Sequence, residues 1–175
     1  MRLGLLILIS FSFFSSASDF SFGAGGFNEP SGGRYGAEVY AWAELDQHVS
    51  FRFSGLLFNG KNSYQKSDTF GGFSIAGFVH LNQPINPYVG IGLQGSNTIY
   101  CSLFDDDEED FFSDEECVNS KQNVLAIYPE IGLRFNLGPV KLTPFVRRYF
   151  DTHDNLPVTN AYGLLLSFNF STGVM

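Results

Sequence analysis

The stretch NVLAIYPEIGLRFNLG, residues 123–138, splits into two unlike sets when every second residue is taken. Leu125, Ile127, Pro129, Ile131, Leu133, Phe135 and Leu137 form one set. Val124, Ala126, Tyr128, Glu130, Gly132, Arg134 and Asn136 form the other. A period of two marks a β-strand with unlike faces. Soluble sheets alternate as well, so the period alone leaves open which face looks inward.

Working outward, eight alternating runs follow one another, near residues 19–28, 34–45, 49–59, 70–81, 87–97, 122–136, 139–150 and 160–170. Most reach the roughly 9–11 residues that a tilted strand uses to cross a bilayer. Helical periodicity is absent. The connections alternate too: DQH (46–48), NQPIN (82–86) and NLGP (136–139) are short and rich in turn residues. EPSGGR (29–34), GKNSYQKSDT (60–69), the stretch 97–121 and DTHDNLPVTN (151–160) are longer. This predicts an all-β, eight-stranded antiparallel up-and-down transmembrane barrel, with short turns on the periplasmic rim and long loops on the outer one. A soluble eight-stranded barrel shares the count but reverses the faces.

The faces favour lipid outside. Val49, Phe51, Phe53, Gly55 and Leu57 oppose Ser50, Arg52, Ser54, Leu56 and Phe58. Tyr162, Leu164, Leu166, Phe168 and Phe170 oppose Ala161, Gly163, Leu165, Ser167 and Asn169. A narrow lumen is expected to hold glycine, serine, alanine and a few paired charges. Arg52, Glu130, Arg134, Lys141 and Arg147 fall on expected lumenal positions, where carboxylate–guanidinium pairs would plug the bore. A narrow selective pore is the functional alternative. Arg148, of opposite parity to Arg147, is expected at the outer rim. In run 34–45, Tyr40 and Trp42 share parity with Glu38 and Glu44, and the lipid-facing set stays open. Pro129 and Pro144 lack an N–H on neighbouring strands, which predicts a bulge or a weakly paired patch.

MRLGLLILISFSFFSSAS, residues 1–18, reads as a secretory signal peptide: Arg2, an apolar core from Leu3 to Phe14, and a small-residue cleavage site before Asp19. Residues 19–175 are then the barrel domain. The chain carries 10 basic and 18 acidic residues. Half of the acids lie in one run: Asp105, Asp106, Asp107, Glu108, Glu109, Asp110, Asp114, Glu115 and Glu116. Net charge is therefore a property of one loop. No basic stripe exists, which argues against nucleic acid. The acidic run suits a solvated loop, weak binding of a divalent cation, or a basic surface ligand; it lacks the spacing of an EF-hand. Cys101 and Cys117 flank it, and an exported pair of this kind is expected to form an intraloop disulfide.

INPYVGIGLQGS, residues 85–96, resembles the small outer-membrane β-barrel family of OmpX, the opacity proteins and the transmembrane domain of OmpA. Pro87, Tyr88, Gly90 and Gly92 match a Pro-Tyr-x-Gly-x-Gly strand found after a short turn in that family. AYGLLLSFNF (161–170) is similar to the C-terminal signal such barrels present to their assembly machinery, through Gly163, Leu166, Phe168 and Phe170. STGVM follows it, where the aromatic residue usually ends the chain. The resemblance implies integration in the outer membrane of a Gram-negative bacterium, with membrane lipid and the barrel-assembly machinery as partners. It implies no substrate.

A lipid-A deacylase would present a His-x-Ser pair with a carboxylate. The histidines read instead as turn, strand-end and loop residues: His48 in a short turn, His80 ending the fourth run, and His153 near Asp151 and Asp154. The chain is expected to be a non-enzyme without cofactor, a scaffold presenting its outer loops. A small channel is the alternative.

Overall fold

A computed structural model describes residues 19–30, 33–61, 67–81, 83, 85–101, 123–151 and 158–170. The expected signal peptide, Cys117, His153 and the whole acidic run lie outside the described residues. Every regular element among those described is a strand: β1 Asp19–Glu29, β2 Arg34–Glu44, β3 Val49–Lys61, β4 Ser67–His80, β5 Ile85–Cys101, β6 Asn123–Leu137, β7 Val140–Asp151 and β8 Thr159–Phe170. Each pairs antiparallel with its neighbour, and β1 closes on β8. Closure leaves no sheet edge, the condition for a β-structure to sit in hydrocarbon.

The alternation in residues 123–138 resolves as lipid-side out. Leu125, Ile127, Ile131 and Leu133 are exposed, and Ala126, Tyr128, Glu130 and Arg134 are buried. The belt continues around the wall through Phe22, Val39, Leu57, Phe73, Ile91, Leu164 and Phe168, all exposed. A soluble barrel would not present so large an apolar surface to water. In β2, the open case, Glu38, Tyr40 and Trp42 are buried in the lumen and Val39 is out.

The rims are less unequal than the connection lengths predicted. GKNSYQKSDT is partly absorbed into a hairpin, with Gly60 opposite Asp68 and Lys61 opposite Ser67. β1 and β2 are joined through residues 30–33 alone. Polar residues pair as strands beyond the membrane at no desolvation cost, so polarity was a poor guide to strand ends. The tight rim behaves as expected. Gly138, at φ +72°, opens the two-residue turn between β6 and β7, in the left-handed region that favours glycine. Asp46 Oδ1 accepts the N–H groups of His48 (2.6 Å) and Val49 (2.7 Å) and so fixes the β2–β3 turn. These two bonds hold its carboxyl below the usual aspartate range.

The prolines make no bulge. β6 and β7 keep one register from Ala126↔Asp151 to Leu137↔Val140, but the ladder is missing where Pro129 faces Arg148 and Pro144 faces Leu133. Both prolines keep their pairing on the other side, with Ile91 and Leu164. Their absent N–H groups therefore weaken one seam only.

Candidate functional site

The lumen is where the charged strand residues meet. It differs from the expected lining of small residues, because rings fill it. Tyr40, Trp42, Phe58, Phe78, Tyr88, Tyr128, Phe145 and Tyr149 are all buried inside. Room for them comes from the lumenal glycines directly across the ladder: Gly90 faces Phe78, Gly92 faces Tyr128, Gly132 faces Tyr88 and Gly163 faces Phe145. A Cβ added at any of these four would lie 2.2–2.6 Å from an atom of the facing ring. Glycine and aromatic thus form one cross-strand unit. The glycines are visible in the sequence, but that each is half of a pair is not, because pairing depends on register.

Three tiers of ion pairs cross this packed bore. In the middle, Arg52 on β3 donates to both carboxylate oxygens of Glu130 on β6, at 2.8 and 2.6 Å. Arg147 Nε donates to Glu130 Oε2 at 2.7 Å, and its terminal nitrogens reach Glu38 on β2 at 3.2 and 3.4 Å. Tyr88 Oη donates to Glu130 at 2.9 Å. The side chains of Arg52, Glu130, Arg147 and Glu38 are 0% exposed. Ring faces cover what the carboxylates leave: Arg52 lies over Phe78 (4.9 Å) and Trp42 (5.3 Å), and Arg147 over Phe145 (4.4 Å) and Tyr128 (4.7 Å).

Toward the long-loop rim, Arg34 Nε donates to Glu29 at 2.6 Å, and both side chains also bond Thr159. At the short-turn rim, Glu44 Oε1 accepts from Arg134 (2.7 Å) and Lys141 (2.8 Å). The five charges picked out in sequence are all lumenal. The partners Glu29, Arg34, Glu38 and Glu44 went unassigned; the first two looked like loop, and the last two sat in the run of open parity.

Arg148 and His48 stand outside these tiers. Arg148 is exposed on the wall, with its guanidinium 5.4 Å from the Phe150 ring centre. His48 is exposed in its turn, yet His48-Val49-Ser50 does have His-x-Ser order, which the sequence reading passed over. Ser50 is buried in the lumen and its hydroxyl has no hydrogen-bond partner, so the imidazole does not activate it here. Of the strand proposed as an assembly signal, Leu166 and Phe168 face outward, Gly163 faces Phe145, and Phe170 ends β8. Among the described residues, no cluster of His, Cys, Asp or Glu is arranged to hold a metal ion.

No protein-family model matches the sequence, and no curated protein sequence does either. Solved structures match in fold. The N-terminal β-barrel domain of Pseudomonas aeruginosa OprF aligns with TM-score 0.58 and 15% identity, over 88% of this chain and 98% of that one. P. aeruginosa outer membrane protein OprG aligns with TM-score 0.51 and 11% identity, over 90% and 98%. Ail, the attachment invasion locus protein of Yersinia pestis, aligns with TM-score 0.50 and 12% identity, over 87% and 97%.

Proposed function

We propose that this chain, which has the fold of the small eight-stranded outer-membrane β-barrels, is an integral outer-membrane protein whose closed barrel presents surface loops. The observation that carries this reading is the sealed middle of the lumen. Arg52, Glu130, Arg147 and Glu38 join opposite walls with fully buried side chains, and stacked rings fill the space between the tiers. A bore blocked in this way conducts nothing; it stiffens the barrel. Function then belongs to what the barrel displays. The largest displayed segment runs from the end of β5 to β6 and includes the acidic run, which Cys101 and Cys117 flank. In the oxidising envelope these two are proposed to form a disulfide that restrains a self-repelling loop. The loop's ligand is then a divalent cation or a basic surface molecule.

The experiment is planar-bilayer recording of the folded protein, alongside cation and cell-surface binding by the intact chain and a chain lacking residues 102–116. The expected result is no steady conductance, and binding lost with the loop while the barrel still assembles. A stable unitary conductance would replace the scaffold with the channel reading, which the charged tiers at both rims favour second. Binding unchanged by the deletion would remove the loop.

A further inference from the structure

The outward face of the wall from β5 to β8 carries an open apolar groove of about 630 Å³, within the roughly 300–1,000 Å³ usual for a small-molecule site. Ile131, Leu133, Val146 and Tyr162 line it and are all exposed. Gly132 and Gly163 carry no side chain, so the wall is thin here and the buried rings of Tyr88 and Phe145 reach the groove floor. The groove extends from Tyr162 to Pro87, toward the short-turn rim.

A charge stands at its other end. Arg148 is the next outward residue after Val146 on β7, and Asn160 faces it across the ladder as Tyr162 faces Val146. Arg148 and Asn160 are both exposed. Among the described residues, no acceptor meets the guanidinium; its contact is the Phe150 ring, 5.4 Å away at the centre. A ring takes one face of the guanidinium and leaves its in-plane N–H donors open.

Register sets the level of that charge. Following the pairing from Thr69 on β4 strand by strand around the wall returns to β4 at Val79, ten residues nearer the short-turn rim. The strands are therefore tilted, and equal register is not equal height. Corrected for that descent, Arg148 stands level with Asn28 on β1, with Asn160 just above and Tyr162 just below. Beneath them the outward residues are apolar, from Val146 to Val140 on β7 and from Leu164 to Phe168 on β8. Arg148 thus marks the edge of the apolar belt, where headgroups meet hydrocarbon.

We propose that Arg148 and this groove together hold one anionic lipid of the outer leaflet, its phosphate on Arg148 beside Asn160 and an acyl chain in the groove below. A guanidinium matches phosphate oxygens in fork geometry. The groove is continuous with the lipid-facing belt, so hydrocarbon is what it meets. The site rests on the reading of the wall as membrane-embedded, and is independent of the outer loops and of whether the bore conducts.

The folded protein in dioleoylphosphatidylcholine nanodiscs is given increasing dioleoylphosphatidate, and the Gly132 and Gly163 amides and Arg148 Nε–H are followed by NMR. The expected result is a saturable shift at all three. Dioleoylglycerol, with the same chains and no phosphate, and sodium phosphate, with no chain, are expected to give none that saturates. Arg148→Gln removes one charge-assisted hydrogen bond and should raise the half-saturating mole fraction about tenfold. Val146→Phe fills the groove from the lipid side and should abolish the two glycine shifts. No saturable shift in the parent, an equal response to dioleoylglycerol or free phosphate, or unchanged behaviour of either variant overturns the site. Cross-peaks from Phe73 and Ile91, outward residues away from the groove, to lipid methylenes report embedding in the same samples. Present without the shift, they sink the lipid site alone; absent, they sink the membrane reading and the site with it.

Discussion

Replacing Glu130 with glutamine keeps the size of the side chain and removes the one charge shared by two buried arginines. Arg147 retains Glu38 at 3.2 and 3.4 Å. Among the described residues, Arg52 keeps no carboxylate within hydrogen-bonding distance, only the ring faces of Phe78 and Trp42. Both guanidinium groups and the carboxylate are 0% exposed, so solvent screening offers no relief. Removing one partner of a buried pair costs about 3–5 kcal/mol, since the remaining charge is left uncompensated. Tyr88 also loses its carboxylate acceptor, which points to the upper half of that range. Urea unfolding in phospholipid vesicles, followed by Trp42 fluorescence, measures the loss. A second variant separates lost attraction from stranded charge: with Arg52→Met added to Glu130→Gln, most of the stability returns, because an apolar substitute for a buried pair is close to neutral. If Glu130→Gln alone stays within about 0.5 kcal/mol of the parent, the usual range of a surface change, the central tier is not the buried plug described here.

Gly90→Ala puts a Cβ 2.3 Å from both the backbone carbonyl of Gly77 and the Phe78 ring, and is expected to cost about 1–3 kcal/mol by overpacking. Gly95→Ala, with nothing within 4 Å of the added atom, is expected to unfold like the parent in the same urea series. Pro144→Ile restores an N–H toward Leu133 in the interrupted seam; a gain of roughly 0.5–1.5 kcal/mol and slower amide exchange at Leu133 are expected. Exchange no slower than in the parent would mean the seam is not limited by the missing donor. In the β2–β3 turn, the Asp46 carboxyl is depressed by two backbone N–H groups. Its stabilisation is therefore full above the unfolded aspartate value of about 3.9 and fades as pH falls through the lower folded value. Protection of the His48 and Val49 amides should fade over that acid range, and Asp46→Ala should remove it at every pH.

Strand count, antiparallel order and the lipid-facing set were legible because period two survives any uncertainty in strand ends. Residues 123–138 show this best: each outward apolar position and each lumenal charge follows from parity. Where the inward set is itself bulky, parity loses its meaning. Tyr40 and Trp42 resemble lipid-facing residues in every local respect, and only the facing glycines and arginines of other strands show that they belong inside. The same limit hid Glu38 and Glu44, whose partners Arg147, Arg134 and Lys141 lie on β6 and β7. The proline seam was half legible. The missing donors are covalent facts, but both point at the β6–β7 ladder because of register. The groove on the outer wall was not legible, since β5, β6, β7 and β8 all contribute to its lining.

The lipid-facing exterior is tested most directly by spin labels placed singly at Phe73, Ile91, Ile131 and Leu164 on a cysteine-free background in phospholipid vesicles. High collision rates with oxygen and low rates with a water-soluble nickel complex at all four sites are predicted. The reverse, or a folded monomer in plain buffer with these four labels shielded from both, would turn the barrel inside out.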